Sequence, residues 1–357
     1  MAVDLSPKAG KAIFESDAGA YVTWSSADQP ILTDMKVGAG LLVLQPQGLA
    51  LPHYADSPKF GFVLEGKATV GLVLAGESKQ KVIELKKGDI IVFPLGNLTW
   101  WYNDGESKFS IVMLGDSSVA VHTGNFSYFF LAGAIGVFNG LSTEFLSTAW
   151  GIEEAHAQSL FRSQPAVLLT KPAQRLHDIK PSSSDARGVV LNIEHAPPEV
   201  CVKKGGHTTT LTSAHLAMLK EVAFTLNITK LEPKAMRSPG FLPDAAVQVV
   251  YVTKGSGRVQ IAGTDGGNAL NEEVKEGCLF VVPSFFVMSV IAGDEGMEWV
   301  ALIKTSKPHY NYFTGKTSLM NIFTPQILEA SLNASPDLVK LLRTKGGAQS
   351  AIIPPSN

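Results

Sequence analysis

Few side chains in this 357-residue sequence could carry chemistry, and the best of them fall in its first third. His53 and Lys59 stand six positions apart. Thr99, Trp101 and Asn103 occupy alternate positions along the β-rich run that begins at Leu98, so strand alternation puts them on one face. A lysine enclosed by apolar groups loses hydration, its pKa falls, and it becomes a base or an amine nucleophile. A histidine beside it supplies a second proton carrier near neutral pH. Trp101 offers a flat apolar wall to an organic ligand, with Thr99 or Asn103 orienting a polar group. Such a set suits metal-independent proton transfer: isomerisation, elimination or cyclisation. The competing structural reading has Lys59 snorkelling to solvent and His53 bonding a backbone carbonyl.

Other candidates fall away on spacing. Thr314-Gly315-Lys316-Thr317 matches the tail of a phosphate-binding loop, but Tyr310 stands where its first glycine is required. Glu153-Glu154 and Glu272-Glu273 are adjacent pairs whose side chains diverge. Cys201 and Cys278 cannot build a disulfide framework or a cysteine-based zinc site, and read as inert thiols. No nucleophile elbow is present.

Composition narrows the class. The chain is 45% hydrophobic and 17% charged, which indicates a folded protein with a sizeable core. Thirty basic against thirty-two acidic residues leave a formal charge of −2, with no electrostatic footprint for nucleic acid or an anionic membrane. The first residues lack the apolar region of a secretory signal, so a cytoplasmic protein is expected, and the sequons at Asn97, Asn125, Asn227 and Asn333 are read as coincidences.

The elements that must position these residues are short β-rich runs between glycine turns: 41–44, 60–64, 69–74, 81–85, 90–93, 98–102 and 109–114. Helices follow, one capped by Ser142 and one over 153–161. A polar stretch, 180–188, is the best linker. The plan then repeats, with strands at 223–231, 247–253, 258–262, 279–282, 285–291 and 298–304. Helices enter at Thr324-Pro325 and Ser335-Pro336. Gly66 and Gly255, Gly88 and Gly277, and Pro94 and Pro283 share one interval of 189 (255 − 66, 277 − 88, 283 − 94). The tails repeat at 182 (326 − 144). This is a duplicated module, with expected boundaries at 1–178, a linker at 179–190, and 191–357.

Gly88-Asp-Ile-Ile-Val-Phe-Pro94-Leu-Gly96-Asn-Leu-Thr99-Trp-Trp-Tyr-Asn103 resembles the second cupin motif, and the segment from His53 to Gly66 fits the frame of the first. The tails around Phe126–Gly133, Leu141–Leu146 and Phe313–Ser318 resemble the helical extensions of 11S seed globulins, the legumins and glutelins. The sequence looks nearest to a signal-less, glutelin type-D-like branch of plant bicupins. The resemblance implies a mainly β protein of two jelly-roll barrels, each followed by a helical extension that packs on a neighbouring subunit, and a homotrimer. It also implies that His53, Lys59 and Thr99 point into the first barrel.

Metal-dependent cupins hold an ion with three His and one Glu. In this frame those positions carry His53, Ala55, Lys59 and Thr99 in the first module and Leu242, Asp244, Gln248 and Met288 in the second. No metal or other cofactor is expected, and the second barrel reads as a packed structural core. Storage members of the family are rich in Arg and Gln and carry long polar insertions; this chain has six arginines and no such insert. It also lacks their Asn-Gly junction between modules. Two functions therefore stay open: a small-molecule binder or metal-independent enzyme acting in the first barrel with an unidentified organic ligand, and a storage-like or structural oligomer.

Overall fold

The computed structural model describes residues 4–355. The first module folds into two antiparallel sheets. One runs through Leu49–Ala55, Leu98–Tyr102, Lys67–Val73 and Lys81–Lys86; the other through Asp89–Phe93, Lys59–Glu65, Phe109–Asp116, Val37–Leu44 and Gly19–Trp24. Apolar side chains from both inner faces meet between them. In the second module the same plan is one sheet of eleven strands, ten of its own and Lys8–Ala9 from the first, because Gln248–Ala262 and Val287–Ile303 pass unbroken from one layer to the other. Both modules are jelly rolls whose sheets stay open at their edges rather than closing into barrels.

The repeated glycines have a steric cause. Gly66 and Gly255 adopt φ of +74° and +71°, and a Cβ on either would strike a backbone carbonyl, that of Lys108 or Gly296. Each marks the point where the chain leaves one layer for the other.

The two modules exchange strands. Lys8–Ala9 pairs with Cys278–Val282 of the second module, and Val190–Asn192 pairs with Asp89–Phe93 of the first. Residues 190–192 thus straddle the expected boundary. The expected linker is anchored as well: Asp185 accepts from Val82 N at 2.9 Å, and Ser182 N donates to Val82 O at 2.8 Å. One hydrophobic core runs across both modules, with Trp24 meeting Tyr251 edge-on at 5.6 Å.

The extensions follow the 182-residue interval. Thr143–Trp150 is capped by Ser142, whose hydroxyl accepts from Phe145 N. Its counterpart is Pro325–Leu332. Leu146 and Leu328 are buried. Leu141, Phe145 and Trp150, with Phe323, Ile327 and Leu332 in the second module, are exposed. Among the described residues no helix is long and apolar enough to cross a membrane.

Candidate functional site

His53 and Thr99 face each other across paired strands, and Lys59 opens a strand of the other sheet, opposite Phe93 and Gly115. All three are buried. His53 Nδ1 lies 2.7 Å from Leu51 O and must donate to it, which fixes the tautomer. Nε2 is then the acceptor for the Thr99 hydroxyl at 3.2 Å. Burial pushes the imidazole pKa down to about 4, with the Leu51 bond opposing and nearby Lys59 reinforcing the shift. His53 is therefore neutral at pH 7, with Nδ1–H held by Leu51 O and Nε2 facing the Thr99 hydroxyl.

Lys59 does not snorkel. Its Nζ sits over the rings of Phe126 and Tyr128, 4.9 and 4.7 Å from their centroids, and its contact with Ser57 O is long at 3.5 Å. Burial lowers its pKa to about 7, against a smaller upward pull from Asp56. A cation–π contact contributes about 2 kcal/mol when desolvated, less than the several kcal/mol needed to strip an ammonium of water. Loss of the proton near neutrality follows from that imbalance.

Trp101 packs against Phe93 and Phe109 and forms one wall of a chamber of about 210 Å³ with His53, Tyr21, Leu42, Tyr128 and Phe130. A second hollow of about 10 Å³ lies beside Lys59, Thr99 and Ala55 and shares His53, Trp101 and Met113 with the chamber. That volume suits at most one water, whereas about 150 Å³ is enough for benzene. Asn103 stands apart. The strand ends at Tyr102, so alternation stops there. Asn103 instead pins its loop, donating to Leu44 O and Ser107 O and accepting from Gly105 N.

Tyr21, Phe126, Tyr128 and Phe130 complete this site and were not singled out from the sequence. Tyr21 Oη bonds Tyr128 Oη at 2.8 Å. The alternation Tyr21-Val-Thr-Trp24 after Gly19 was the available signal. Of the positions His53, Ala55, Lys59 and Thr99, only His53 carries a usual metal-ligating side chain, and its Nε2 is already engaged by the Thr99 hydroxyl. Among the described residues no cluster of three or more His, Cys, Asp or Glu gathers anywhere.

Strand register corrects the second-module frame. Thr99 faces His53, and Met288, its counterpart, faces Gly240 and not Leu242. The interval there is 187 (240 − 53). It returns to 189 at Gln248, which faces Val282 as Lys59 faces Phe93. Two additional residues between these points displaced the alignment. Leu242 belongs to a satellite cluster with Ala246 and Ile303.

By the same register Arg237, opposite Val290, is the counterpart of Ala50, opposite Trp101. Its guanidinium stacks over Tyr310, Trp299 and Tyr312 at 4.8, 5.8 and 5.9 Å. The second jelly roll thus has the packed apolar core expected of it, with Met288 and Val290 buried, and adds a buried cation at the position of Ala50. Thr314, from the phosphate-loop-like segment, donates to Ser238 Oγ or Ser350 O, a structural pin.

The duplicated jelly rolls and their helical extensions agree with the comparisons to known proteins. A model of the cupin family, described as Cupin, matches residues 5–158 and 191–340. The chain belongs to the cupin family. Within it the chain is a bicupin of the 11S globulin, legumin and glutelin type. It is 24% identical over 382 residues to 11S globulin seed storage protein 2 of Sesamum indicum, covering 87% of this chain and 82% of that one. The crystal structure of the coconut allergen cocosin superposes with a TM-score of 0.90 at 26% identity, over 99% of each chain. A third neighbour, the 11S globulin from Wrightia tinctoria, described as revealing an auxin binding site, gives 0.89 at 23% identity over 99% of this chain and 96% of that one.

Proposed function

We propose that this bicupin is a non-catalytic, seed-globulin-type protein that assembles into a homotrimer and serves as a nutrient reservoir. The observation that carries assembly is the exposed apolar triplet Leu141, Phe145 and Trp150, matched at a constant interval by Phe323, Ile327 and Leu332. Two similar but non-identical faces on one chain suit head-to-tail contacts, which close into a ring. Light scattering should give three times 38.1 kDa for the wild type. Phe145→Asp with Ile327→Asp should give a monomer, and a wild-type monomer at micromolar concentration would refute assembly. The reservoir role predicts that abundance falls with bulk protein when the source tissue mobilises nitrogen; a constant level through that period counts against it.

A catalytic role draws less support, because Lys59 and Thr99 border a hollow of only about 10 Å³, too small for an organic substrate. One observation favours a second reading, that of a small-molecule holder: the chamber of about 210 Å³ walled by Trp101 and Tyr128. The Wrightia tinctoria globulin gives a precedent for a ligand on this scaffold. Ala50→Arg, which copies the second module, should abolish binding of a neutral aromatic probe such as indole; unchanged indole binding would place it outside the chamber.

A further inference from the structure

The second jelly roll encloses a positive charge with no negative partner. Arg237 is 4% exposed, and among the described residues no carboxylate forms an ion pair with it. Glu199, whose charge reaches Tyr310, lies on the exposed surface. Burial pushes Tyr310 up to about 12, so its ring contributes a face and no formal charge. The guanidinium has five N–H donors, and its hydrogen bond to Tyr312 Oη is long at 3.4 Å. A second donor beside it is orphaned: Trp299 Nε1 is buried without an acceptor, on the ring over which the guanidinium lies. Buried donors of this kind require an acceptor, and a buried cation requires a counter-charge.

We propose that the second jelly roll binds a small monovalent anion, a halide or short carboxylate, against Arg237 with the Trp299 indole N–H as a further donor. The site is independent of the chamber in the first module. Size follows from position: Arg237 is the counterpart of Ala50 and its longer side chain takes up room, which restricts the proposed ligand to an anion of a few atoms. Charge follows from balance. One guanidinium neutralises one negative charge, and a divalent anion would bury an uncompensated second one.

The test uses the full-length protein in gluconate at fixed ionic strength, with chloride, bromide or acetate replacing gluconate stepwise. Wild type should show a saturable rise in Tm, as expected when a ligand binds only the folded state. Arg237→Met should show none. Trp299→Phe keeps the ring, loses one donor and should need about tenfold more anion for the same rise, the loss of one hydrogen bond. It also covers the case in which Arg237→Met fails to fold. Saturation at a lower concentration of acetate assigns a carboxylate, and the reverse order assigns a halide. Crystals soaked in bromide should show an anomalous peak within hydrogen-bond distance of Arg237. No peak there at saturating bromide, or identical titrations for wild type and Trp299→Phe, would overturn the proposal and leave water as the acceptor.

Discussion

Each jelly roll presses one buried cation against the same aromatic wall, yet the cation arrives from different strands. In the first module Lys59 reaches Tyr128 from the strand Lys59–Glu65, and small Ala50 leaves a chamber. In the second, Arg237 reaches Tyr310, the counterpart of Tyr128, from the strand Met236–Phe241 and takes up that space, while neutral Gln248 stands where Lys59 would be. Duplication conserved the wall and its need for a positive partner. It did not conserve the titration behaviour. A lysine can shed its proton when burial is too costly, whereas an arginine stays charged and must be compensated.

The largest expected difference is a pH slope. Lys59 titrates at about 7 in the folded protein and at 10.5 in an unfolded chain. Below pH 7 both states hold the proton and the full burial penalty stands. Between 7 and 10.5 the unfolded state holds more protons, so stability climbs with pH; above 10.5 the penalty is gone. The climb has an upper bound on the order of 5 kcal/mol. Urea denaturation across this window should show it in wild type and in Gln248→Met but not in Lys59→Met. Parallel curves for all three would break the comparison.

Packing gives the next contrast. Trp101→Ala enlarges an existing chamber and should cost roughly 3–5 kcal/mol, while Val290→Ala, its counterpart, should cost about 2 kcal/mol. Equal losses in denaturation midpoint would show that the chamber collapses. His53 comes third. With a folded value of about 4 against 6.5, the neutral imidazole favours folding fully above 6.5, and that advantage is lost as pH falls towards 4. His53→Gln should remove about 3 kcal/mol of the acid-limb slope, measured as the difference from wild type. The smallest effect lies in the extensions. Ser142→Ala removes a helix cap and should cost about 1 kcal/mol. Thr324, at the matching position, makes no side-chain cap bond, so Thr324→Ala should leave the denaturation midpoint unchanged.

Much of the fold was legible because glycines that must bend the chain repeat at a fixed interval, and apolar runs between them mark the strands. The site was legible in part. His53, Lys59, Thr99 and Trp101 converge because the cupin frame fixes their strands. Asn103 did not follow, since alternation is meaningless one residue beyond a strand. Arg237 was missed because two additional residues shifted the alignment of the modules just where it matters, and an isolated arginine in a half-polar strand carries no periodic signal. The exchanged strands were invisible for a related reason. Two or three residues, such as Lys8–Ala9, are too few to show a pattern of their own.

The pairing of Lys8 with Leu279 joins residues 271 positions apart (279 − 8). During synthesis at about 5–20 residues per second, the first strand must therefore wait tens of seconds for its partner to be made. Val190–Asn192 faces the opposite situation, because Asp89–Phe93 is complete before it leaves the ribosome. The amino-terminal half can thus finish its own sheet during translation, whereas the carboxy-terminal half closes only when the oldest part of the chain returns to it. Truncation before Lys11 should leave the first module's sheets intact and raise amide exchange at Cys278 and Leu279, while Phe280–Val282 stay protected by Gln248–Val250.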